Sequence, residues 1–423
     1  MSQPQKNNEK NTKSTEEDLT YGDIVWGQFQ KNSSAKFAMY FLLGLIAIAI
    51  YCPIIASDRP LIWTENGETI YPWFSSLLDR NYFENSIDIF FNLLLICSFP
   101  FFGFWKTFTF VLSSKKIKKR PRRKLLSRGI FGMIIVFFMI YGAVLISPHK
   151  EEYKQYYEIY EQAQQDQNST ISATFTPIPF GYRKTGFKAL KGVLSHSESH
   201  SATHFLGTDQ STRDVAVRML YGTRIALSIG IIAVSIYVSI GIFVGSMAGF
   251  FGGFVDLAVV RFIEIFMSIP SLFVILTLLA FVEKPSIFHI MAVIGCLRWT
   301  GVARLVRGEF LRLRNLDFVS AAIALGYPRS RIIFQHILPN ALGPVLVNAT
   351  FGVASAILTE STLSFLGLGD ASVPSWGQTL SEGYATGAWH LTLAPGIAIF
   401  FTVSLLNLVG EGVRDALDPK MRK

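Results

Sequence analysis

Long apolar runs alternate with polar segments along the chain, and most of these runs approach the length of a membrane-spanning helix. A helix needs about 20 predominantly apolar residues to cross the hydrocarbon core of a bilayer. The pattern therefore predicts an all-α polytopic membrane protein with about eight transmembrane helices. The predicted spans are Phe37–Ile55, Ile87–Leu112, Gly129–Ser147, Ile225–Phe250, Arg261–Val282, Ile287–Val302, Ala341–Leu366 and Leu393–Val409.

The same pattern divides the chain into five predicted regions. Polar tails stand at both ends, and a long polar segment separates three N-terminal spans from five later ones. We expect a cytosolic N-terminal tail (1–36), an N-terminal membrane region (37–147), an extracytoplasmic segment (148–223), a five-span core (224–412) and a cytosolic C-terminal tail (413–423).

The segment 317–339, between the sixth and seventh predicted spans, has the pattern of two short helices joined at a glycine. Gly326 is expected to end the first helix, because glycine adopts the left-handed C′ conformation cheaply. Pro328 is expected to open a second helix that ends before Pro339, because proline suits the first helical position. This pattern predicts a bend at the protein surface, which we call the elbow, on which another protein could bind and exert force. Four residues have the spacing of one apolar helical face: Phe318, Ala321, Ala322 and Leu325.

Composition agrees with a membrane location and excludes an ordinary soluble protein. Hydrophobic residues make up 50% of the chain and charged residues only 16%. The net charge of +9 is uneven, because nine of the 39 lysines and arginines lie between Lys115 and Arg128. A short basic loop between two spans is typical of a cytosolic topology signal, so we favour that role over a lipid- or partner-binding patch. We expect no binding to nucleic acid.

The basic loop sets the predicted orientation of every span. With Lys115–Arg128 in the cytosol, alternation of the spans places both chain termini and the elbow in the cytosol as well. The outer loop 367–390 contains no lysine or arginine, as this orientation requires. No cleavable signal peptide is recognised before the first span.

Two sets of potential metal ligands occur, and we expect neither to bind a metal. His196, His200 and His204 recur every four residues, which on a helix would place three imidazoles on one face. The residues between them offer no apolar face to hold such a helix, so a compositional tract is favoured. The three cysteines show neither metal-ligand spacing nor a disulfide pattern.

Four glycines recur at intervals of four residues at the end of the fourth predicted span. Such a stripe of small residues allows a partner helix to approach at backbone distance. We expect a helix-packing interface that supports assembly with another subunit; the alternative is a loosely packed helix end. The glycines are Gly241, Gly245, Gly249 and Gly253.

Catalytic chemistry finds no support in the sequence. No arrangement typical of a nucleophile or an acid–base pair stands out, and no Gly-Lys dipeptide of a Walker A loop occurs. We therefore expect a non-catalytic chain. Glu264 and Glu360 lie within predicted spans, where ionisable groups are costly and often functional. They are candidates for a transport pathway or gate, although Glu264 could instead pair with Arg261.

The elbow resembles the coupling loop of ABC importer membrane subunits, usually written Glu-Ala-Ala…Gly…Ile-x-Leu-Pro. The chain has the two alanines, the glycine and the Leu-Pro of this motif at matching spacing. It departs from the motif at Ser320, where the family has Glu, and at His336, where the family usually has Ile.

Further stretches extend the likeness and narrow it. Residues 204–209, 248–256, 360–369 and 410–419 resemble peptide- and nickel-type ABC permeases, so the resemblance covers roughly 204–419. The chain is similar to the C-type membrane subunit of an oligopeptide or dipeptide ABC importer, which implies the type I transmembrane fold. Residues 56–61 and 261–264 are similar to the Yej-type subgroup. Such subunits normally have six spans, so the second and third spans here are extra.

The resemblance implies transport by alternating access. A B-type permease would pack beside this chain, two ATP-binding subunits would bind ATP and Mg beneath it, and a soluble binding protein would deliver a peptide from outside. The chain itself would bind no cofactor and would contact membrane lipid. The elbow residues implied to meet the ATP-binding subunits are Phe318, Ser320, Ala321, Ala322, Leu325, Gly326, Arg329, His336 and Pro339.

Other functions stay open at this point. The same scaffold imports nickel or siderophores, and the sequence does not choose among these solutes. A secondary carrier would usually show an internal repeat of spans, and a membrane-embedded enzyme would need a catalytic set of residues. Neither is recognised in the chain.

Overall fold

The computed structural model describes residues 21–114, 119–147, 156–165, 170–183, 185, 192–196 and 203–418. Predictions for 1–20, for 115–118 in the basic loop, for His200 and for 419–423 lie outside these residues. The helices in chain order are α1 (Tyr21–Lys31), α2 (Ser33–Ile55), α3 (Pro72–Ser76), α4 (Ser86–Ser114), α5 (Lys119–Ile146), α6 (Tyr156–Gln165), α7 (Val215–Phe251), α8 (Gly253–Ser268), α9 (Ser271–Ala280), α10 (Ile287–Leu313), α11 (Asp317–Ala324), α12 (Arg329–Arg331), α13 (Leu338–Phe365), α14 (Trp376–Thr386) and α15 (Trp389–Leu417).

The mostly helical fold and its membrane spans confirm the prediction. Within the described residues, seven helices are long and apolar enough to cross a membrane, and α8 with α9 makes an eighth if this bent pair is one span. Several spans begin or end beyond their predicted limits; for example, α7 begins at Val215 and α15 continues to Leu417. The Asp214 carboxylate explains the first difference, because it accepts a hydrogen bond from the Val217 amide (2.9 Å) and so caps the helix.

The fifth predicted span is broken rather than straight. It is divided into α8 and α9, whose axes differ by 75°. The break lies at Ile269 and Pro270, because proline disfavours helical dihedral angles in the residue before it. Ile269 is accordingly extended, with φ −102° and ψ 127°. The span predicted from Arg261 to Val282 is therefore a bent pair of helices.

The sixth span is longer than predicted. Instead of ending at Val302, α10 continues to Leu313 because its buried face continues through Val306 and Phe310. The arginines that interrupt the apolar run lie on the less buried side of the helix. This extension moves Arg298 from the inner end of a short span to the middle of a long one.

The chain divides into two compact units, each built from separate stretches of sequence. The first contains Met1–Gly44, Ile229–Asp370 and Ile397–Lys423, and the second contains Leu45–Ser228 and Ala371–Gly396. In the first unit, one apolar core takes side chains from α7, α8, α10, α11 and α13. The elbow helix α11 therefore shares its core with the spans that it connects.

Two small sheets form in the second unit among the described residues, and the sequence did not predict them. They are built from β1 (Ile62–Glu65), β2 (Glu68–Ile70), β3 (Ser172–Thr174), β4 (Ser195–His196) and β5 (Thr203–His204). In the larger sheet, Trp63 of β1 pairs antiparallel with Ile70 on one side and with Ala173 on the other. The polar segments that follow α2 and α5 therefore fold together, as the alternation of spans requires.

A buried arginine ties the second predicted span, α4, into this unit. Arg224 of α7 is fully buried and donates hydrogen bonds to the Ala49 carbonyl oxygen (2.7 Å), to Asp88 Oδ1 (3.0 Å) and to Asn92 Oδ1 (2.8 Å). Removing one partner of such a buried ion pair would leave an uncompensated charge. By contrast, the spanning stretch of α5 has no buried residue.

Candidate functional site

The elbow begins with α11, and Gly326 ends this helix as the sequence predicts. Leu325 is the last residue with helical dihedral angles, and Gly326 takes a φ of +74°. The Gly326 amide donates to the Ile323 carbonyl (2.9 Å), and the Tyr327 amide donates to the Ala322 carbonyl (3.2 Å). These two bonds form a Schellman motif, which fixes the direction in which the chain leaves the helix.

The second half of the elbow differs from the prediction. Pro328 is the residue before α12 rather than its first residue, and the helix does not end before Pro339. A π-helical stretch, Ile332–Ile337, carries the chain from α12 directly into α13. Pro339 then lies in the first turn of α13, where a missing N–H is tolerated. The elbow is thus continuous with the seventh span.

The side chains of α11 divide into a buried and an exposed face. Val319 is 1% exposed and Ala322 is 3% exposed, and both belong to the core of the first unit. Ala322 is therefore not available for docking, which corrects the helical face expected from the sequence. The other predicted residues of this helix, Phe318, Ser320, Ala321 and Leu325, are exposed.

An exposed apolar patch surrounds the Gly326 turn. It contains three residues that the sequence pattern did not single out, because they lie off the predicted helical face. We call the patch the elbow surface; it consists of Leu316, Phe318, Ile323, Leu325 and Phe334, with exposed fractions from 39% to 70%. A single exposed leucine is ordinary, whereas five large apolar side chains exposed within one short segment are typical of an interaction site.

Ring contacts occur within the second half of the elbow. The Arg331 guanidinium lies 4.1 Å from the centroid of the Tyr327 ring, and the His336 ring stacks on the same ring with centroids 5.7 Å apart. The Arg329 guanidinium lies 6.0 Å from the centroid of Phe251. Arg329 and His336 thus have ring contacts within the first unit, and their predicted role in coupling stays a prediction.

An ion pair connects α10, the span that precedes the elbow, to α8. Arg307 of α10 forms a bidentate pair with Asp256 of α8, in which Nη2 donates to Oδ2 at 2.7 Å. A bidentate guanidinium–carboxylate pair fixes orientation as well as distance. Nearby, Arg314 donates to the Gly249 carbonyl oxygen (3.0 Å). The C-terminal half of α10 and the residue after it are thus attached to α7 and α8 at defined points.

The glycine stripe packs against a helix of the same chain. A Cβ added at Gly241 would lie 3.0 Å from the Trp299 carbonyl oxygen, and one at Gly249 would lie 2.8 Å from the Arg307 carbonyl oxygen. At Gly245 an added Cβ would overlap the Ala303 carbonyl oxygen. All of these neighbours are in α10, so the partner helix is α10 and not another subunit. The expected close approach is therefore made within the chain, and an effect of the stripe on assembly with another subunit stays a prediction.

Gly253 does not belong to this stripe. No atom of the described residues lies within 4 Å of the position of an added Cβ there, and its φ of +53° is in the left-handed region. It opens α8 after the turn at Gly252, whose φ is +66°. Glycine is needed at this point for backbone conformation and not for helix packing.

The two predicted intramembrane carboxylates have different surroundings. Glu264 is exposed and pairs with Arg261 on the same helix (2.8 Å), which is the alternative role considered for it. Glu360 is 2% exposed and accepts a hydrogen bond from Ser364 Oγ (2.7 Å). A pathway or gate role for either residue stays a prediction.

The sequence did not indicate Arg298, a charged residue within a span, as a candidate functional residue. Arg298 lies in the middle of α10, and its Nη2 donates to Ser355 Oγ of α13 (2.6 Å). The signal in the sequence is a single arginine inside an apolar run. The early end predicted for the sixth span concealed it.

His204 has a protein partner of its own. Its Nδ1 lies 2.7 Å from Asp214 Oδ2, both side chains are buried, and its ring stacks on Phe180. The side chain of His196 and the whole of His200 lie outside the described residues. Among the described residues, no group of three or more potential ligands is arranged to hold a metal.

Comparisons with known proteins match the region that contains the elbow. Residues 241–423 match the family described as "Binding-protein-dependent transport system inner membrane component". The chain is 43% identical over 249 residues to the oligopeptide transport system permease protein OppC of Haemophilus influenzae, covering 58% of this chain and 78% of that protein. It is 29% identical over 397 residues to the inner membrane ABC transporter permease protein YejE of Escherichia coli, covering 93% and 96%. A structure of the MetNI methionine ABC transporter overlaps 48% of this chain and 96% of its own, with a TM-score of 0.40 and 18% identity.

Proposed function

We propose a function in peptide uptake for this chain, which belongs to the family of binding-protein-dependent transport system inner membrane components. The chain is a multi-pass inner-membrane permease. In this proposal it is the C-type subunit of an ABC importer for oligopeptides or dipeptides. The relatives named as oligopeptide and dipeptide permeases support this solute class. The observation that carries the proposal is the elbow surface, an exposed apolar patch fixed between two spans.

The geometry suggests how force reaches the spans. A partner seated on the elbow surface would push α11, whose Val319 and Ala322 pack in the core with α10 and α13. The pair between Arg307 and Asp256 would carry the displacement to α8. Such coupling needs only two arrangements of the spans that the partner binds with different affinity. We infer that the first unit moves as a lever of this kind.

The remaining components come from other chains in this proposal. A B-type permease completes the membrane pore, two ATP-binding subunits bind ATP and Mg and seat on the elbow surface, and a soluble binding protein delivers the peptide. The permease chain itself performs no catalysis and binds no cofactor. The absence of a Gly-Lys dipeptide in the sequence supports the assignment of ATP binding to partners.

Reconstitution tests the proposal. The permease, its partner permease, the ATP-binding subunits and the binding protein are placed in proteoliposomes, and uptake of radiolabelled trialanine is measured with and without ATP. We expect uptake that requires ATP and the binding protein. Uptake of nickel or a ferric siderophore, but not of trialanine, would show that the transported solute is not a peptide. Uptake driven by an ion gradient without ATP would contradict the importer assignment.

A further inference from the structure

Arg298 is a cation within the apolar stretch of α10. At a rise of 1.5 Å per residue it lies about 17 Å along the helix from Ile287 and about 9 Å before Arg304, the next charged residue. A charged side chain within a membrane span is costly and is rarely retained without a function. The contacts of the Arg298 side chain therefore bear on the role of its charge.

The guanidinium of Arg298 is held on one side only. Its Nη2 donates to Ser355 of α13, whereas its Nη1 is buried and has no hydrogen-bond partner in the part of the chain that the structure describes. No ion pair joins it to any carboxylate of the described residues. The nearest candidate along α13, Glu360, accepts its hydrogen bond from Ser364.

Two further features make this position polar and close-packed. Tyr237 of α7 reaches α13 at Gly352, where an added Cβ would overlap the tyrosine hydroxyl. Gly352 lies three residues before Ser355, so the two contacts fall within one turn of the same helix. Side chains from α7, α10 and α13 thus converge around a fixed cation, and these are the spans joined to the elbow.

We propose that Arg298 binds the C-terminal carboxylate of the peptide during its passage through the membrane. This inference rests on the proposed function, because every free peptide carries such a carboxylate. An arginine fork pairs with a carboxylate through two parallel hydrogen bonds, and Nη1 is the arm that lacks a partner. The bond to Ser355 keeps the fork in place between passages. The pairing is transient, because a solute must also leave its site.

The test compares trialanine with its C-terminal amide in the reconstituted importer. In the Arg298→Gln variant we expect the ratio of free-acid uptake to amide uptake to fall about tenfold relative to the unmodified complex, as loss of a charge-assisted hydrogen bond implies. The binding protein is the same in both complexes, so its own preference cancels. Arg298→Lys keeps the charge but loses the fork, so it should keep more of the preference than Arg298→Gln and less than the unmodified complex.

Two variants separate binding from structure. Ser355→Ala removes the bond between α10 and α13 but keeps the cation, so the ratio should stay near its unmodified value even if total uptake falls. Arg304→Gln, on the exposed side of the same helix, is the control for removal of a positive charge. An equal loss of both peptides in Arg298→Gln would overturn the inference and indicate a structural role.

Three other outcomes have defined meanings. Loss of the partner permease on purification of Arg298→Gln would also overturn the inference, since it would identify a counter-ion on that subunit. If the unmodified complex carries no amide, then equal trialanine uptake by the Gln and Lys variants overturns it. Failure of the unmodified complex to take up either peptide would instead contradict the proposed function.

Discussion

The glycine stripe and the elbow surface lie in the same unit, and both stand out in the sequence, yet they meet different neighbours. At Gly245 the backbone of α10 leaves no room for even one added carbon atom. At Leu325, in contrast, 70% of the residue surface is exposed. The difference teaches that residue spacing identifies the kind of contact a helix can make, but not the chain that supplies the partner.

This difference has an energetic consequence. A change at the closed contact acts on folding, because the neighbours are backbone atoms of a packed helix. A change on the elbow surface leaves the fold intact and acts on whatever docks there. Substitutions at paired positions should therefore separate loss of folding from loss of coupling.

The largest effect is expected where the two kinds of surface lie side by side on α11. Ala322→Glu buries a carboxylate in the core, at a cost of about 3–5 kcal/mol for an uncompensated charge. We expect this variant to yield little monodisperse protein in size-exclusion chromatography of the solubilised membrane fraction. Ala321→Glu, on the exposed neighbour, should fold and insert normally yet reduce solute-stimulated ATP hydrolysis. Equal yields of the two variants would show that α11 is not packed as described.

The next largest effect is expected at the closed helix contact. Gly245→Leu forces α7 away from α10, and overpacking of this kind costs about 1–3 kcal/mol. The thermal midpoint of the isolated chain should fall, because the contact lies within that chain. Gly301→Leu in α10 is the matched control, since no atom lies within 4 Å of a Cβ added there. An unchanged thermal midpoint together with lost binding of the partner permease would instead show that the glycine stripe supports assembly with that subunit.

The sequence predicted features that depend on nearby residues. The turn at Gly326 follows from local backbone preferences, and the eight apolar runs follow from composition along the chain. The partner of the glycine stripe could not be read in this way, because α10 begins more than 35 residues after Gly249. For the same reason, helical spacing alone predicted that Ala322 lies on a docking face, whereas in the structure it is buried in the core of the first unit.

Two other differences come from the way polar residues interrupt apolar runs. The sixth span was shortened because Arg304 and Arg307 break its apolar run, although Val306 and Phe310 continue the buried face. The hydrogen bonds of Arg224 could not be predicted either, because Asp88 and Asn92 lie more than 130 positions away in sequence. A charged residue in an apolar run has a readable meaning only once its neighbours are known.

A smaller effect on stability, but a large one on coupling, is expected at the elbow turn. Gly326→Val places a β-branched residue at a φ of +74°, and the left-handed conformation costs about 1–2 kcal/mol. No atom would contact the new Cβ, so the cost is one of backbone conformation alone. The variant should insert and assemble with its partners, yet lose solute-stimulated ATP hydrolysis. Gly343→Val, at an equally open but helical position, should keep that stimulation; if both variants keep it, the Gly326 turn does not set the docking geometry.

The smallest effect is expected at Ser320, where the coupling-loop motif has Glu. Ser320 is exposed on α11, one residue before Ala321, and surface substitutions of this kind usually change stability by less than about 0.5 kcal/mol. Ser320→Ala should therefore leave ATP hydrolysis by the reconstituted complex within about twofold of the unmodified rate. Ser320→Glu restores the residue of the motif, and its exposed carboxylate should not disturb the core. If Ser320→Ala abolishes stimulation while Gly326→Val preserves it, the partner reads the exposed polar side of α11, and the elbow surface is not the docking site.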